Sequence, residues 1–90
     1  MKSRTTAAFR KRFAALPAEI RSQARVAYRL FSSNPHYSSL HFKRVHAKEP
    51  IYSARVGLHY RVVGLIEDRD VIVWFWIGPH EQYETLIENL

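Results

Sequence analysis

The sequence predicts an α+β fold: two N-terminal helices, a three- to four-stranded antiparallel sheet and a short C-terminal helix. Three observations predict it. Apolar residues in the first third recur at helical spacing. From Leu40 to Ile77 the pattern changes to short alternating or continuous apolar runs separated by brief turns. The last ten residues return to helical spacing.

Thr5 to Ala15 reads as containing a short strand or a helix start, and Phe9, Phe13 and Leu16, recurring at i, i+4 and i+7, favour helix over most of it. Pro17 interrupts, because the residue before a proline is biased away from the α region. The same proline suits the first turn of a second helix, where its missing N–H is not needed. That helix is predicted from about Pro17 to Ser32. Ile20, Ala24, Ala27 and Phe31 form its apolar stripe, and Arg21, Arg25 and Arg29 stack at strict i, i+4 spacing. Like charges stacked this way oppose the helix slightly. Ser32-Ser33-Asn34-Pro35 is a stop-and-turn cluster.

Leu40 to Lys43 alternates apolar and polar, as a half-buried strand does. Ile51 to Val56 reads as a second strand, Gly57 to His59 as a tight hairpin turn, and Tyr60 to Ile66 as a third strand. Glu67 to Asp70 is a polar turn. Val71 to Ile77 is apolar on both faces and reads as a central strand covered on both sides. Gly78-Pro79 ends it. Glu81 to Leu90 reads as a helix with Tyr83, Leu86, Ile87 and Leu90 on one face, and acids at Glu81 and Glu84 suit its N-terminal end. Connections this short pair strands antiparallel.

Ninety residues is one domain's length, and residues 1–90 read as a single unit. Twelve aromatic residues give a small core its bulk. The chain has no cysteine, which excludes a disulfide scaffold, a thiolate zinc site and a cysteine nucleophile, and suits the cytoplasm. No stretch reaches the ~18–20 apolar residues that span a bilayer. The basic N-terminus is followed by no apolar core of a secretory signal, and the helical face of Phe9, Phe13 and Leu16 argues against a transit peptide. The five histidines show no zinc-like spacing with a carboxylate third ligand, so no metal is expected.

Charge is unevenly spread. Residues 1–48 hold eleven Lys/Arg against one acid, Glu19, whereas residues 49–90 hold three Arg against seven acids. The overall charge is +6. A basic half of this kind points to a polyanion or an acidic partner on one side of the molecule, although solubility alone also favours such a surface.

Several segments, taken in order, resemble the RelE/ParE toxin superfamily. Leu16-Pro17 opens a helix ending in Tyr28-Arg29-Leu30-Phe31 before Asn34-Pro35. Ser39 to Lys43, Tyr52 to Gly57 and Tyr60-Arg61-Val62 follow, and the last piece is Trp74 to Tyr83. The resemblance covers about three quarters of the chain, and no single piece is decisive. It implies a helical hairpin packed on a twisted antiparallel sheet. It also implies a cytoplasmic type II toxin neutralised by a cognate antitoxin, needing no small-molecule cofactor and no membrane. Many members cleave mRNA on the ribosome without metal, and a branch inhibits DNA gyrase instead. A fold does not choose between these activities.

Metal-free RNA cleavage needs a base for the 2′-OH, cationic donors for the phosphorane and an acid for the leaving 5′-oxygen. Arg61, beside Tyr60, stands where the resembling ribonucleases carry a phosphate-binding arginine; otherwise it is a strand arginine paired with an acid such as Glu67. Arg55 comes near Arg61 if Gly57 to His59 is a three-residue turn, and two converging arginines make a phosphate site. His80 follows Gly78-Pro79 at a strand end where active members carry a basic or histidine residue. It is the candidate base or acid, against a helix-capping or partly buried histidine. Tyr83, one turn on, is placed to stack on a base or hydrogen-bond a phosphate, although its position on the apolar face favours core packing. His41, Lys43, Arg44, His46 and Lys48 form a basic stretch suited to RNA phosphates and equally to a solvated strand and loop. His59 reads as a turn residue. Arg21, Arg25 and Arg29 are candidates for contact with ribosomal RNA or an acidic antitoxin segment. The chain departs from the most active ribosome-dependent members near its C-terminus, where Glu81, Glu84 and Glu88 replace a dense Lys/Arg cluster.

Overall fold

A computed structural model describes residues 1–90. The chain opens with strand β1 (Lys2–Thr5), and helices α1 (Ala7–Ala14) and α2 (Ala18–Ser33) follow as a hairpin. After a 3₁₀ turn (Ser38–Leu40) come β2 (Lys43–Arg44), β3 (Ile51–Val56), β4 (Tyr60–Asp68) and β5 (Val71–Pro79), then α3 (His80–Glu88). The sheet has five strands in the order β1-β5-β4-β3-β2. β2 to β5 pair antiparallel, and β1 pairs parallel to β5.

The α+β architecture with a helical hairpin, sheet and C-terminal helix is as the sequence predicts, with two corrections. The sheet has five strands rather than three or four, and it is mixed rather than wholly antiparallel. The additional strand is β1. Its residues are mostly exposed, with two charges and no apolar side chain, so they carry no alternation to read. The connection from Thr5 to Val71, which includes the helical hairpin and strands β2 to β4, far exceeds the length that a parallel pairing needs. The strand expected over Leu40 to Lys43 is shorter and shifted. Leu40 closes the 3₁₀ turn, His41 takes a left-handed backbone (φ 45°), and only Lys43 and Arg44 pair with β3. Leu40 and Phe42 enter the core from a turn rather than from a ladder.

The remaining elements follow local rules. Thr6 caps α1 by accepting the Phe9 amide at 3.0 Å. Pro17 stands just before α2, at its N-cap, and the Arg21 amide closes the first turn on the Pro17 carbonyl at 3.0 Å. Gly57 takes φ 58° in the β3–β4 turn, a conformation that costs a residue with a Cβ. β5 is flanked by β1 and β4 and covered on both faces, and a bulge near Phe75 places both Phe75 and Trp76 toward α3.

Two apolar clusters result. On the hairpin face, Phe31, Leu40, Ala54, Ile72 and Trp74 pack together, with Phe31 meeting Phe42 and Trp74 edge-on at 5.0 and 5.3 Å. On the opposite face, Ile51, Val63, Trp76 and Tyr83 pack beneath α3. Ile72 and Val63, one in each cluster, are completely buried. No helix is long and apolar enough to cross a membrane.

Candidate functional site

The three-residue turn sets the register of β3 on β4 so that Arg55 lies directly opposite Arg61. Alternation along a strand puts both on the face with Ser53 and Val63, under α3. Neither arginine has a carboxylate partner; the chain's two ion pairs are Met1 amino group–Asp70 and His80–Glu84. Arg61 donates to the Tyr60 carbonyl at 2.9 Å, and the Arg55 Nε is buried with no hydrogen-bond partner. Burial, followed by the like charge of Arg55, pushes the Arg61 guanidinium below its ordinary value, and Tyr83 opposes the shift. It stays charged at neutral pH. The alternative pairing of Arg61 with Glu67 does not occur. Two like charges directly opposite one another on a sheet are destabilising, and they leave donors free for an anion.

His80 is the first residue of α3. Its amide donates to the His59 carbonyl at 2.8 Å, which binds the start of α3 to the β3–β4 turn. The imidazole Nε2 lies 2.8 Å from Glu84 Oε1, one helical turn on, and Nδ1 is buried without a partner. The Glu84 carboxylate thereby fixes the orientation of the imidazole ring. Tyr83 stacks on the His80 ring with centroids 6.0 Å apart. Its hydroxyl donates to the buried Ser53 Oγ at 3.1 Å. Tyr83 is therefore anchored inward, and its surface is only 9% exposed, which favours packing over stacking on a nucleobase.

Arg55, Arg61, His80 and Tyr83 thus converge on one end of the sheet beneath α3. The basic stretch after the hairpin does not join them. Arg44 donates to the carbonyls of His46 and Lys48 at 3.0 and 3.1 Å, and His46 Nδ1 accepts the amides of Lys48 and Glu49. These two side chains close their own loop. Lys43, Lys48 and His41 are exposed. On α2, Arg21 donates to the Leu16 carbonyl and Arg25 lies over the Phe13 ring at 5.4 Å, whereas Arg29 is exposed. The histidines and acids form no group of three able to hold a metal ion.

The sequence reading passed over Arg12. From α1 it reaches the Ile77 carbonyl at 2.8 Å and Gln82 of α3 at 3.1 Å, and it lies 4.9 Å from the Trp76 ring centroid. Contacts 65 and 70 residues away leave no local signal, and within Phe9-Arg10-Lys11-Arg12-Phe13 nothing but its helical spacing from Phe9 sets Arg12 apart from its basic neighbours.

Comparisons with known proteins give the family and the fold. Residues 18–85 match the family described as the ParE-like toxin domain. Among solved structures, the chain is similar to one of the RelB–RelE antitoxin–toxin complex of Methanococcus jannaschii (TM-score 0.72, 19% identity, 92% of this chain and 96% of that one). It is also similar to the archaeal RelE–RelB complex of Pyrococcus horikoshii (0.68, 18%, 87% and 92%). The isolated E. coli RelE toxin matches at TM-score 0.66 and 15% identity, over 99% of this chain and 98% of that one. No match was found among curated proteins. The chain therefore belongs to the ParE-like toxin domain family, within the RelE/ParE toxin superfamily.

Proposed function

We propose that residues 1–90 act as one domain, the toxin of a cytoplasmic toxin–antitoxin pair, and that this toxin cleaves mRNA on the ribosome without a metal ion. The observation that carries the reading is the Arg55–Arg61 pair: two adjacent arginines, partly buried, with no carboxylate partner, and with His80 two residues beyond Gly78, the cross-strand partner of Arg61. In the proposed step the 2′-oxygen forms a bond to the adjacent phosphorus as the P–O5′ bond breaks. The 2′-OH proton leaves to a base, the 5′-oxygen gains a proton from an acid, and a 2′,3′-cyclic phosphate and a 5′-hydroxyl result. Arg55 and Arg61 hold the phosphorane charge, where planar forks donate two hydrogen bonds each. His80, oriented by Glu84, makes one of the two proton transfers. Tyr83 supports the imidazole from behind. Lys43 and Lys48, with His41, Arg44 and His46 in the same loop, supply RNA-phosphate contacts.

The antitoxin partner is proposed from the complexes formed by the similar RelE proteins. A cavity of about 370 Å³ lies between the hairpin and the sheet, lined by Phe9, Phe13, Ala27, Phe31 and Trp74, with Arg4 and Arg25 at its edge. An antitoxin segment with apolar anchors and acidic flanks fits it, and Arg21 and Arg29 extend the basic face along α2.

A second reading, gyrase inhibition, is favoured by the ParE-like family match. Induced expression separates the two. Ribonuclease action arrests growth with cut mRNA and intact DNA, and His80→Ala or Arg61→Ala relieves both. Growth arrest with DNA-damage signalling and intact mRNA would establish the second reading instead.

A further inference from the structure

β1 runs beside β5 only as far as Trp74, where Thr5 is its partner. The Thr6 amide then donates to the Trp74 carbonyl, and the chain turns into α1. Beyond that point this edge of β5 has no strand beside it, so a carbonyl there needs another donor. Arg12 supplies one, through Nε–H to the Ile77 carbonyl at 2.8 Å. Its Nη2 donates to Gln82 Oε1 at 3.1 Å, and its guanidinium lies 4.9 Å from the Trp76 ring centroid. One side chain thus ties α1 to the end of β5 and to the first turn of α3. Gly78 leaves room for it: a Cβ there would stand 3.0 Å from Arg12 Nη2 and 2.7 Å from Trp76. Gly78 is the cross-strand partner of Arg61, and His80 follows two residues later.

We infer that Arg12 is a positioning residue for this site, fixing the β5–α3 junction so that the His80 imidazole and the Arg61 guanidinium keep their mutual placement. The inference rests on the proton-transfer role proposed for His80. Lysine cannot substitute, because the contact uses two N–H directions of one plane and the flat face of that plane. Misplacing a reacting group by an ångström costs about a hundredfold in rate.

The test uses the full chain with Arg12→Ala and Arg12→Lys, and with Gln82→Ala, an exposed change that removes only the link to α3. His80 ring resonances are followed by NMR in the isolated protein, and kcat and KM for cleavage are measured on ribosomes. Both Arg12 variants are expected to displace and broaden the His80 ring signals while the amide spectrum stays folded. They lower kcat about 10- to 100-fold, with KM within about twofold. Lysine gives no rescue, and Gln82→Ala displaces the same signals with a smaller loss of kcat. Unchanged His80 signals in a folded Arg12→Ala protein overturn the inference, as do unchanged signals in Gln82→Ala should both Arg12 variants fail to fold. If the unmodified protein cuts no RNA, the ribonuclease reading fails by itself, and the His80 signals still decide whether Arg12 positions this junction.

Discussion

Arg55 and Arg61 are opposed across the β3–β4 ladder with nothing of opposite charge to relieve them. Like charges placed this way cost a folded sheet on the order of 0.5 kcal/mol. Arg55→Met is therefore expected to raise the melting temperature, by about 2–4 °C for a domain of this size. The same change should lower single-turnover cleavage about a hundredfold. Inorganic phosphate should raise the melting temperature of the unmodified protein more than that of the variant, since a ligand stabilises the state that binds it. Thermal melts with and without phosphate check all of this except the rate. A second prediction concerns the imidazole. Glu84→Gln keeps a hydrogen-bonding partner at Nε2 but removes the charge, so it should slow cleavage about tenfold, less than His80→Ala, as read by single-turnover rates.

Among the elements, α3 is fastened to the sheet by one buried polar contact, Tyr83 hydroxyl to Ser53 Oγ, and by the His80 amide on the His59 carbonyl. Tyr83→Phe leaves the Ser53 hydroxyl unsatisfied and should cost about 1–2 kcal/mol in urea unfolding. Ser53→Ala should cost a similar amount. The double variant should cost clearly less than the sum of the two, because it removes both partners of one bond. The elements also show what a sequence carries. Helix α2 was legible because Ile20, Ala24, Ala27 and Phe31 repeat at the helical period, and strands β3, β4 and β5 because short apolar runs are separated by the turns at Gly57 to His59 and Glu67 to Asp70. β1 was not legible. Lys2–Thr5 gains its strand character from Val71–Trp74, about seventy residues away, and nothing in four polar residues announces that partner. The site divides the same way. The facing of Arg55 and Arg61 follows from a three-residue turn and was readable, whereas the inward anchoring of Tyr83 and the reach of Arg12 depend on tertiary contacts.

For the whole molecule, the positive charge and the candidate chemistry lie on different parts of the chain. The basic residues belong mainly to the hairpin and the segment after it, while Arg55, Arg61 and His80 lie in the acidic half. On the proposed reading the basic half is the docking part, where RNA binding would release counterions. Replacing Lys43 and Lys48 by alanine should weaken RNA binding at low salt and reduce the slope of log affinity against log salt by about 0.7 per lysine. Fluorescence anisotropy across a salt series measures both. The same substitutions leave the Arg55–Arg61 pair untouched, so the single-turnover rate at saturating protein should stay within about twofold.

Primer extension on a cellular mRNA after induction tests the central claim most directly, with the unmodified chain beside Arg61→Ala and His80→Ala. The account predicts discrete new 5′ ends within translated regions for the unmodified chain, and their loss in both variants while each still folds. Growth arrest with full-length mRNA, or identical cuts in all three proteins, would contradict it.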